Sequence, residues 1–496
     1  MDSEGPSFTP ISVPNISSIQ LLRAWLAKCD QSHKCRQHRI ENRHNKYTPA
    51  TRLLNVSPSS NPDDLRLDVS KVGTDRYIAL SHCWGQSDLD RLPPHCTTKD
   101  NVKRRQGKFK LSELPKTFQD AIEVTRELGV QYLWIDSICI IQGRHGDWEQ
   151  ESKRMDQVFA SAYCTIAATS AENSNSGFLG RQVDHDGIYV QGPEGRRICV
   201  STNVADFDND INGANINKRA WVMQERFLSP RTIHFGKNQV YGECGEEVYA
   251  GGKIFLTCDD QSKKYFRLDP KFPNRLRQSG WVATLEFLQS LLEDYTRRGI
   301  SIQTDRAVAI SGLTTRIGEA LRSSIHHGII EWYLHRTLLW QRSSGQKMER
   351  IDYGPSKVPS WSWMAYKGAI EFVPDKFGDL RLIKNLVFDA QILTATVWEL
   401  TDRSMKIEAD GDVMQCQLVD LQGLKKGWIS FDEEAELTML PDVVVVARRE
   451  TAETDNCRYY VLFVRFKESQ DVYERIGMGM LQEDCGLRGK GKGRKF

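Results

Sequence analysis

The sequence predicts an α/β domain with a parallel β-sheet flanked by helices, followed by a helical region and a β-rich C-terminal region. Between residues 77 and 168, short apolar runs of strand length alternate with longer amphipathic stretches, a pattern typical of parallel sheets covered by helices. From residue 279 the apolar residues recur at helical spacing, and after residue 370 they form alternating or β-branched runs. We therefore expect an N-terminal helix and linker at 1–70, the α/β domain at 71–250, a helical region at 251–369, a β-rich region at 370–487 and a basic disordered tail at 488–496.

The elements of the α/β domain follow one another at short intervals. Pro115 suits the first turn of a helix and Gly129 its end. Asp147 and Gln150 have the spacing of a capping box, which opens another helix. The predicted elements are strand 77–80, helix 115–128, strand 132–135, helix 148–162, strand 163–168, helix 218–228 and strands 232–235 and 239–243. The first five of them make a flavodoxin-like succession.

The composition is that of a soluble globular protein, with 40% hydrophobic and 27% charged residues among 496. The 67 basic and 65 acidic residues give a formal charge of +2, which argues against a dedicated nucleic-acid-binding protein. No apolar stretch approaches the roughly 18 residues that span a bilayer, and Met1–Asn15 lacks the pattern of a signal peptide. The twelve cysteines are scattered rather than spaced as a disulfide framework. We expect a cytoplasmic or nuclear protein with no membrane partner.

Four motifs occur in a fixed order along the α/β domain. They are Tyr77–Gly85 (YIALSHCWG), Leu114–Gln142, Asp147–Ala168 and Arg219–Arg231 (RAWVMQERFLSPR). These motifs resemble the fungal heterokaryon-incompatibility (HET) domain, firmly over about residues 75–245 and more loosely elsewhere. The resemblance implies a fungal protein of non-self recognition that leads to programmed cell death. It also implies similarity to the TIR domain, an α/β fold in which some members cleave NAD at the nicotinamide glycosidic bond.

The resemblance to catalytic TIR domains extends to two residues, Trp221 and Glu225. Those domains carry a Trp and, four residues later, a Glu on the helix after the third strand, and this pair has the same spacing and place. Residues four apart lie on one face of a helix. Cleavage of an N-glycosidic bond builds positive charge on the ribose, which a carboxylate stabilises, while an indole excludes water. The alternative is a core Trp and a Glu paired with Arg219, Arg226 or Arg231.

Other candidate residues directly follow the first two predicted strands, at the edge where α/β folds bind ligands. Ser81, His82, Trp84 and Gly85 follow the first strand, and Asp136 follows the second. We expect these five residues to bind substrate. Two of them also fit structural roles, because Asp136 suits either a ribose hydroxyl or the cap of the next turn. Gly85 likewise suits either a loop that covers a bound nucleotide or a turn in which the chain reversal needs glycine.

Two cysteine patterns in the sequence could carry further chemistry. His82 and Cys83 are adjacent, but neighbouring residues of an extended strand point to opposite faces, so an inert Cys83 is favoured over a nucleophile. A second run contains Cys29, His33, Cys35 and His38. Its spacing departs from that of common zinc sites, so packing and capping roles for the cysteine, with solvated histidines, are favoured. We expect no metal and no resident cofactor.

Three functions remain open from the sequence. The first is a HET effector that self-associates, cleaves NAD as its substrate at Glu225, and responds to a protein partner from an incompatible allele. The second is an enzyme that tailors an apolar small molecule in a fungal secondary-metabolite pathway, with the same cleft as its pocket. The third is a non-catalytic, oligomerising interaction module. If the chain is a HET effector, residues 250–496 have the regulatory role.

Overall fold

A computed structural model shows two compact units, Met1–Phe272 and Pro273–Phe496. The described residues are 18–33, 50–70, 76–85, 92–180, 187–191, 197–201, 206–250, 253–257, 276, 280–354, 358–373, 380–383, 386–389, 392–401, 405–412, 415–433, 440–449 and 458–496. The first unit joins the segment expected as an N-terminal helix and linker to the α/β domain. Within the described residues, no helix has the length and apolar character that crossing a bilayer requires.

The first unit contains a ten-stranded mixed sheet. The strands of the first unit, in chain order, are β1 (Arg52–Asn55), β2 (Asp64–Val69), β3 (Tyr77–Ser81), β4 (Phe109–Lys110), β5 (Tyr132–Trp134), β6 (Cys164–Ala167), β7 (Gly187–Gln191), β8 (Arg197–Ser201), β9 (Arg231–Phe235), β10 (Val240–Cys244), β11 (Glu247–Ala250) and β12 (Lys253–Thr257). All of them except β7 and β8 belong to the ten-stranded sheet. Strands β7 and β8 form a separate hairpin, and the sheet order is β12-β11-β10-β9-β6-β3-β5-β1-β2-β4. The parallel pairs of the described strands are β3 with β5, β3 with β6, and β6 with β9.

The expectation of a parallel sheet therefore holds at the centre and is wrong at both sides. Strand β1 pairs antiparallel with β5 and with β2, and β10 pairs antiparallel with β9. The reason is the length of the connections: β9, β10, β11 and β12 are joined by short loops, and a parallel pair needs a long crossover. Strands β1 and β2 lie in the expected N-terminal helix and linker, where the run from Leu53 to Leu67 predicts a short strand interrupted by a turn and the structure has two paired strands.

The helices of the first unit cover the parallel strands. They are α1 (Ser18–Ser32), α2 (Val102–Gln106), α3 (Lys116–Glu127), α4 (Asp136–Cys139), α5 (Trp148–Glu151), α6 (Met155–Ser161) and α7 (Ala220–Leu228). Further helical turns lie at Leu111–Glu113, Ser152–Arg154, Asp208–Asn212 and Asn215–Lys218. Helix α3 buries its apolar side, including Phe118, Ala121 and Ile122, in the main core. The apolar residues whose spacing predicted this helix are thus the residues that it buries in the core.

The helix expected over residues 148–162 is interrupted. Helices α5 and α6 are separated by a 3₁₀ turn, and Asp147 lies at the N-cap of α5 without capping it through its side chain. Its Oδ1 instead accepts a hydrogen bond from the Ile141 N–H at 2.8 Å, and its Oδ2 pairs with Arg52. The predicted capping box is therefore wrong, because a tertiary ion pair occupies the carboxylate.

The second unit combines helices with an antiparallel sheet. Its helices are α8 (Trp281–Arg297), α9 (Val308–Leu321) and α10 (Leu334–Thr337). Its strands are β13 (Ile325–His326), β14 (Ile329–Ile330), β15 (Trp340–Arg342), β16 (Glu349–Arg350), β17 (Tyr366–Lys367), β18 (Ile370–Phe372), β19 (Leu380–Leu382), β20 (Val387–Asp389), β21 (Ile392–Leu400), β22 (Lys406–Asp412), β23 (Gln415–Val419), β24 (Lys425–Phe431), β25 (Asp442–Arg449), β26 (Arg458–Lys467), β27 (Val472–Gln482) and β28 (Leu487–Lys495). The large sheet contains β19 to β28, so the β-rich C-terminal region is confirmed.

The basic C-terminal segment is a strand and not the expected disordered tail. Strand β28 pairs antiparallel with β21. Its side chains are mostly exposed, and Lys490 lies 2.9 Å from the carboxylate of Asp442. A run of glycines and cations lacks the apolar alternation by which strands are recognised. Here the backbone hydrogen bonds of an existing sheet edge order the segment.

Candidate functional site

The candidate site lies where the strand order of the first unit reverses direction. From β3 the chain passes to β5 on one side and then to β6 on the other side. In open α/β sheets, ligands bind outside the carboxyl ends of the strands at such a point. Ser81 ends β3, and Asp136 follows β5 at the start of α4. The predicted strand-end residues therefore share one edge of the sheet.

Asp136 connects the two strand ends through its carboxylate. Trp84 donates its indole N–H to Asp136 Oδ2 at 2.8 Å, and His82 Nδ1 lies 3.9 Å from Oδ1. The Ser137 backbone N–H also donates to Oδ1 at 2.6 Å. The Ser137 contact joins adjacent residues, and the N-cap of α4 is Ile135 without a side-chain cap, so both roles considered for Asp136 stay predictions. Its side chain keeps 19% exposure, so the carboxylate is still accessible from solvent.

His82 is a buried, neutral imidazole. Burial lowers its pKa to about 4, against an opposing contribution from Asp136. The ring stands edge-on to Phe118 at 4.9 Å, and the ring of His95 contacts the same phenylalanine at 5.1 Å. Among the described residues, Nε2 of each histidine has no hydrogen-bond partner. Two imidazoles with available ring nitrogens thus lie close to Asp136.

Glu225 is a buried carboxyl group on α7, only 7% exposed. Burial raises its pKa from 4.5 to about 7, and the negative charge of Asp136 adds to that increase. Arg219 and a hydrogen-bonding contribution from Ser81 oppose it. The Ser81 hydroxyl lies in this environment without a hydrogen bond of ordinary geometry among the described residues. Helix α7 therefore places a carboxyl group close to half ionised at neutral pH beside the ends of β3 and β5.

The arginines considered as partners of Glu225 have other partners. Arg226 forms a two-pronged ion pair with Glu243, with both N···O distances at 2.8 Å. Arg231 pairs with Asp30, and Arg219 donates to the backbone carbonyl of His82. Within the described part of the chain, no ion pair of 4.0 Å or less joins any of the three arginines to Glu225. The alternative of a glutamate locked by arginine is therefore not what this site shows.

A family model for a known domain matches this part of the chain. The model is described as heterokaryon incompatibility protein (HET), and it matches residues 77–225, from the start of β3 to Glu225 itself. Residues 77–225, called the HET domain below, thus match this family model. No curated protein and no solved structure matches the chain. The match covers the parallel strands β3, β5 and β6, and it includes every predicted catalytic and substrate-binding residue.

Trp221 lies on α7 one turn before Glu225, partly buried at the edge of the HET domain core. Its ring packs edge-on against Trp148 of α5, with centroids 5.7 Å apart. The two indoles leave part of each ring exposed. The catalytic role of Trp221 and Glu225 stays a prediction, as do the substrate-binding roles of Ser81, His82, Trp84, Gly85 and Asp136.

Gly85 and Cys83 have structural explanations in the HET domain. Gly85 has a φ of +92°, and a Cβ there would lie 2.7 Å from that of Asn173, so the turn itself requires glycine. Cys83 packs with Ile216 and Val222. Burial raises the pKa of its thiol, which disfavours the nucleophilic thiolate form.

A small cavity of about 10 Å³ lies between the parallel strands and α7. Ser81, Thr165, Val222 and His234 are among the residues that line it. Such a volume holds about one water molecule, so a dinucleotide does not fit without movement of side chains.

Two residues of the site, His95 and Arg219, have contacts that the sequence did not predict. His95 follows two prolines, in a loop that no periodicity marks. Its contact with Phe118 depends on the packing of α3, which local sequence does not encode. Arg219 holds the backbone of the loop after β3 through the His82 carbonyl. The sequence signal that could have pointed to this contact is the position of Arg219 at the N-cap of α7.

Proposed function

We propose that this chain is an effector of heterokaryon incompatibility, whose HET domain couples non-self recognition to programmed cell death. The match of residues 77–225 to the HET family supports this proposal. The death signal is the loss of NAD, and Glu225 is the catalytic carboxylate. The observation that carries this step is the buried Glu225 carboxyl group beside the ends of β3 and β5, with a pKa of about 7.

The reaction is hydrolysis of the nicotinamide glycosidic bond. The bond between ribose and nicotinamide breaks, and its electron pair leaves with the nicotinamide. The ionised Glu225 carboxylate stabilises the positive charge that develops on the ribose. Water then adds to the ribose and loses a proton, so that NAD and water give ADP-ribose, nicotinamide and a proton.

The strand order supports a TIR-like interpretation of the domain. Counted along the chain, the parallel strands β5, β3, β6 and β9 have the order 2-1-3-4, which is the first part of the flavodoxin-like order 2-1-3-4-5. The fifth position is taken by the antiparallel strand β10 instead. Asp136 and Trp84 lie at the switch point of this order, where the ribose of NAD binds in the proposal.

Self-association opens the site in this proposal. The cavity beside Ser81 holds about one water molecule, and neither Glu225 nor Asp136 is among its lining residues, so this cavity does not admit NAD as it stands. The resemblance to TIR domains implies activity that follows self-association. We therefore expect NAD cleavage to rise more steeply than in proportion to the protein concentration.

The test is nicotinamide release from NAD by the purified full-length chain over a range of protein concentrations. Glu225→Gln removes the charge and keeps the shape, and it should lower the rate at least about 100-fold. Glu151→Gln is the matched control, because Glu151 is a second buried glutamate of the HET domain. Its Oε1 accepts a hydrogen bond from the Thr51 hydroxyl at 2.6 Å, and it does not lie at the strand ends. Equal rates for wild type and Glu225→Gln would exclude this role for the carboxylate.

Cell killing separates the proposed catalytic role of Glu225 from the proposed role in heterokaryon incompatibility. Expression of the wild-type chain in a fungal host should reduce survival, and Glu225→Gln should restore it. If the Glu225→Gln chain kills as well as wild type, the HET domain acts as a non-catalytic interaction module. If neither chain affects survival in any partner strain, the incompatibility function itself is wrong.

A further inference from the structure

Two distant parts of the first unit bring three metal-binding side chains together. Cys29 lies on α1, His33 follows one helical turn later, and Cys244 ends β10. The two cysteine sulfurs and an imidazole nitrogen all lie within 4.8 Å of one another. Cys29 and Cys244 are buried, and the His33 side chain is only 7% exposed. The expectation of a solvated histidine is therefore wrong for His33, because the packing of α1 on the sheet buries its ring.

The packing of α1 on β10 explains why these side chains meet. The Trp25 ring lies against Gly242, where a Cβ would come within 2.7 Å of the ring atoms. Cys29 is one helical turn beyond Trp25, and Cys244 is two residues beyond Gly242 on the same face of the strand. The close approach that the glycine permits thus sets the cysteines opposite each other.

The sulfur-to-nitrogen distance fits a tetrahedral zinc site in which these residues supply three of the four ligands. With Zn–S bonds of about 2.3 Å and Zn–N bonds of about 2.0–2.1 Å, tetrahedral angles separate a sulfur from a nitrogen ligand by about 3.5 Å. Cys244 Sγ lies 3.5 Å from His33 Nδ1. Two thiolates and a neutral imidazole also balance the charge of Zn²⁺, which suits a buried position.

The surroundings of the cluster match those of bound metal ligands. The Glu246 backbone N–H points to Cys244 Sγ at 3.5 Å, a contact that stabilises a thiolate. With His33 Nδ1 facing the sulfurs, its Nε2 faces Glu247 Oε2 at 3.8 Å. A carboxylate behind a ligating histidine orients the ring when it accepts the ring N–H; here Glu247 Oε2 accepts a hydrogen bond from Lys28 Nζ at 2.6 Å and faces the ring at a longer distance. Glu247 is buried, and among the described residues its Oε1 has no hydrogen-bond partner.

We infer that Cys29, His33 and Cys244 bind a structural Zn²⁺ ion that fastens α1 to the sheet. The sequence favoured no metal, since the spacing of Cys29, His33, Cys35 and His38 departs from that of common zinc sites. Cys35 and His38 lie outside the described residues, and the third ligand comes from 211 residues beyond His33. No local spacing pattern could have included it.

The test measures zinc in the full-length chain, purified under reducing conditions from cells supplied with zinc. Wild type should contain about one zinc per chain, and Cys244→Ser and His33→Ala should lose most of it. Cys139→Ser is the matched control, because Cys139 is a buried cysteine of the same unit that also accepts a backbone N–H at 3.5 Å. It should keep its zinc.

Two further measurements do not depend on whether the variants fold. Exchange of the wild-type metal for Co²⁺ should give the absorption of a thiolate–cobalt complex, and a chelator should abolish it and lower Tm reversibly. A wild-type chain that takes up neither metal would overturn the inference. So would zinc retained in Cys244→Ser, or a Cys29–Cys244 disulfide in the reduced preparation.

Discussion

Replacing Glu225 with glutamine should stabilise the first unit, and the gain should depend on pH. Burial raises the pKa of this carboxyl group from 4.5 to about 7. Between these two values the folded chain keeps a proton that the unfolded chain has lost, so the stability of the folded state falls as the pH rises through this window. Each pKa unit corresponds to about 1.36 kcal/mol, so ionised Glu225 costs about 3 kcal/mol.

Glutamine does not ionise and therefore lacks this cost. At pH 8, the Glu225→Gln chain should be more stable than wild type by about 3 kcal/mol. For a unit of this size, that corresponds to about 6–12 °C in Tm. Near pH 5 both residues are neutral in the folded state, and the two chains should unfold at similar temperatures. The same substitution should abolish NAD cleavage, as expected where a functional group costs stability.

The assay is thermal unfolding at pH 5 and pH 8, followed by pulsed hydrogen exchange of peptides from β3 and β6. These peptides report the first unit by itself, which matters because a chain of two units need not unfold in one step. Glu123→Gln, an exposed carboxyl group on α3, is the control and should leave both temperatures unchanged. A Glu225→Gln chain that is no more stable than wild type at pH 8, or that differs equally at both pH values, would refute the reasoning.

Two buried ion pairs give the remaining predictions. Glu243 is buried, and although burial alone would raise its pKa, Arg226 and His234 hold it well below its usual range. Glu243→Gln should therefore cost about 3–5 kcal/mol at pH 7, and urea unfolding of the first unit should show the deficit shrinking as the pH falls below 4.5. In the second unit, Arg475 pairs with buried Asp432 at 2.9 Å, so Arg475→Met should lower the free energy of unfolding by about 3–5 kcal/mol. Adding Asp432→Leu should restore most of that loss, and an Arg475→Met chain as stable as wild type would contradict the prediction.

Much of the parallel centre of the sheet could be predicted from the sequence. The run Tyr77–Leu80 became the body of β3, and the helix expected at 115–128 is α3 over Lys116–Glu127. These elements carry their signal in local apolar periodicity, which follows from backbone geometry. The strands that extend the sheet on both sides, and β28 in the second unit, carry weaker signals, because their order comes from pairing with an existing edge.

The resemblance of residues 77–225 to the HET domain and the position of Glu225 one helical turn after Trp221 could be predicted from the residues alone. The burial of this carboxyl group near Asp136 and the meeting of Cys244 with Cys29 depend on the packing of distant segments. The physical reason is that helical and strand periods act over a few residues. The energy of a charge, and the set of ligands around a metal, depend instead on burial and on distances between segments far apart in the chain.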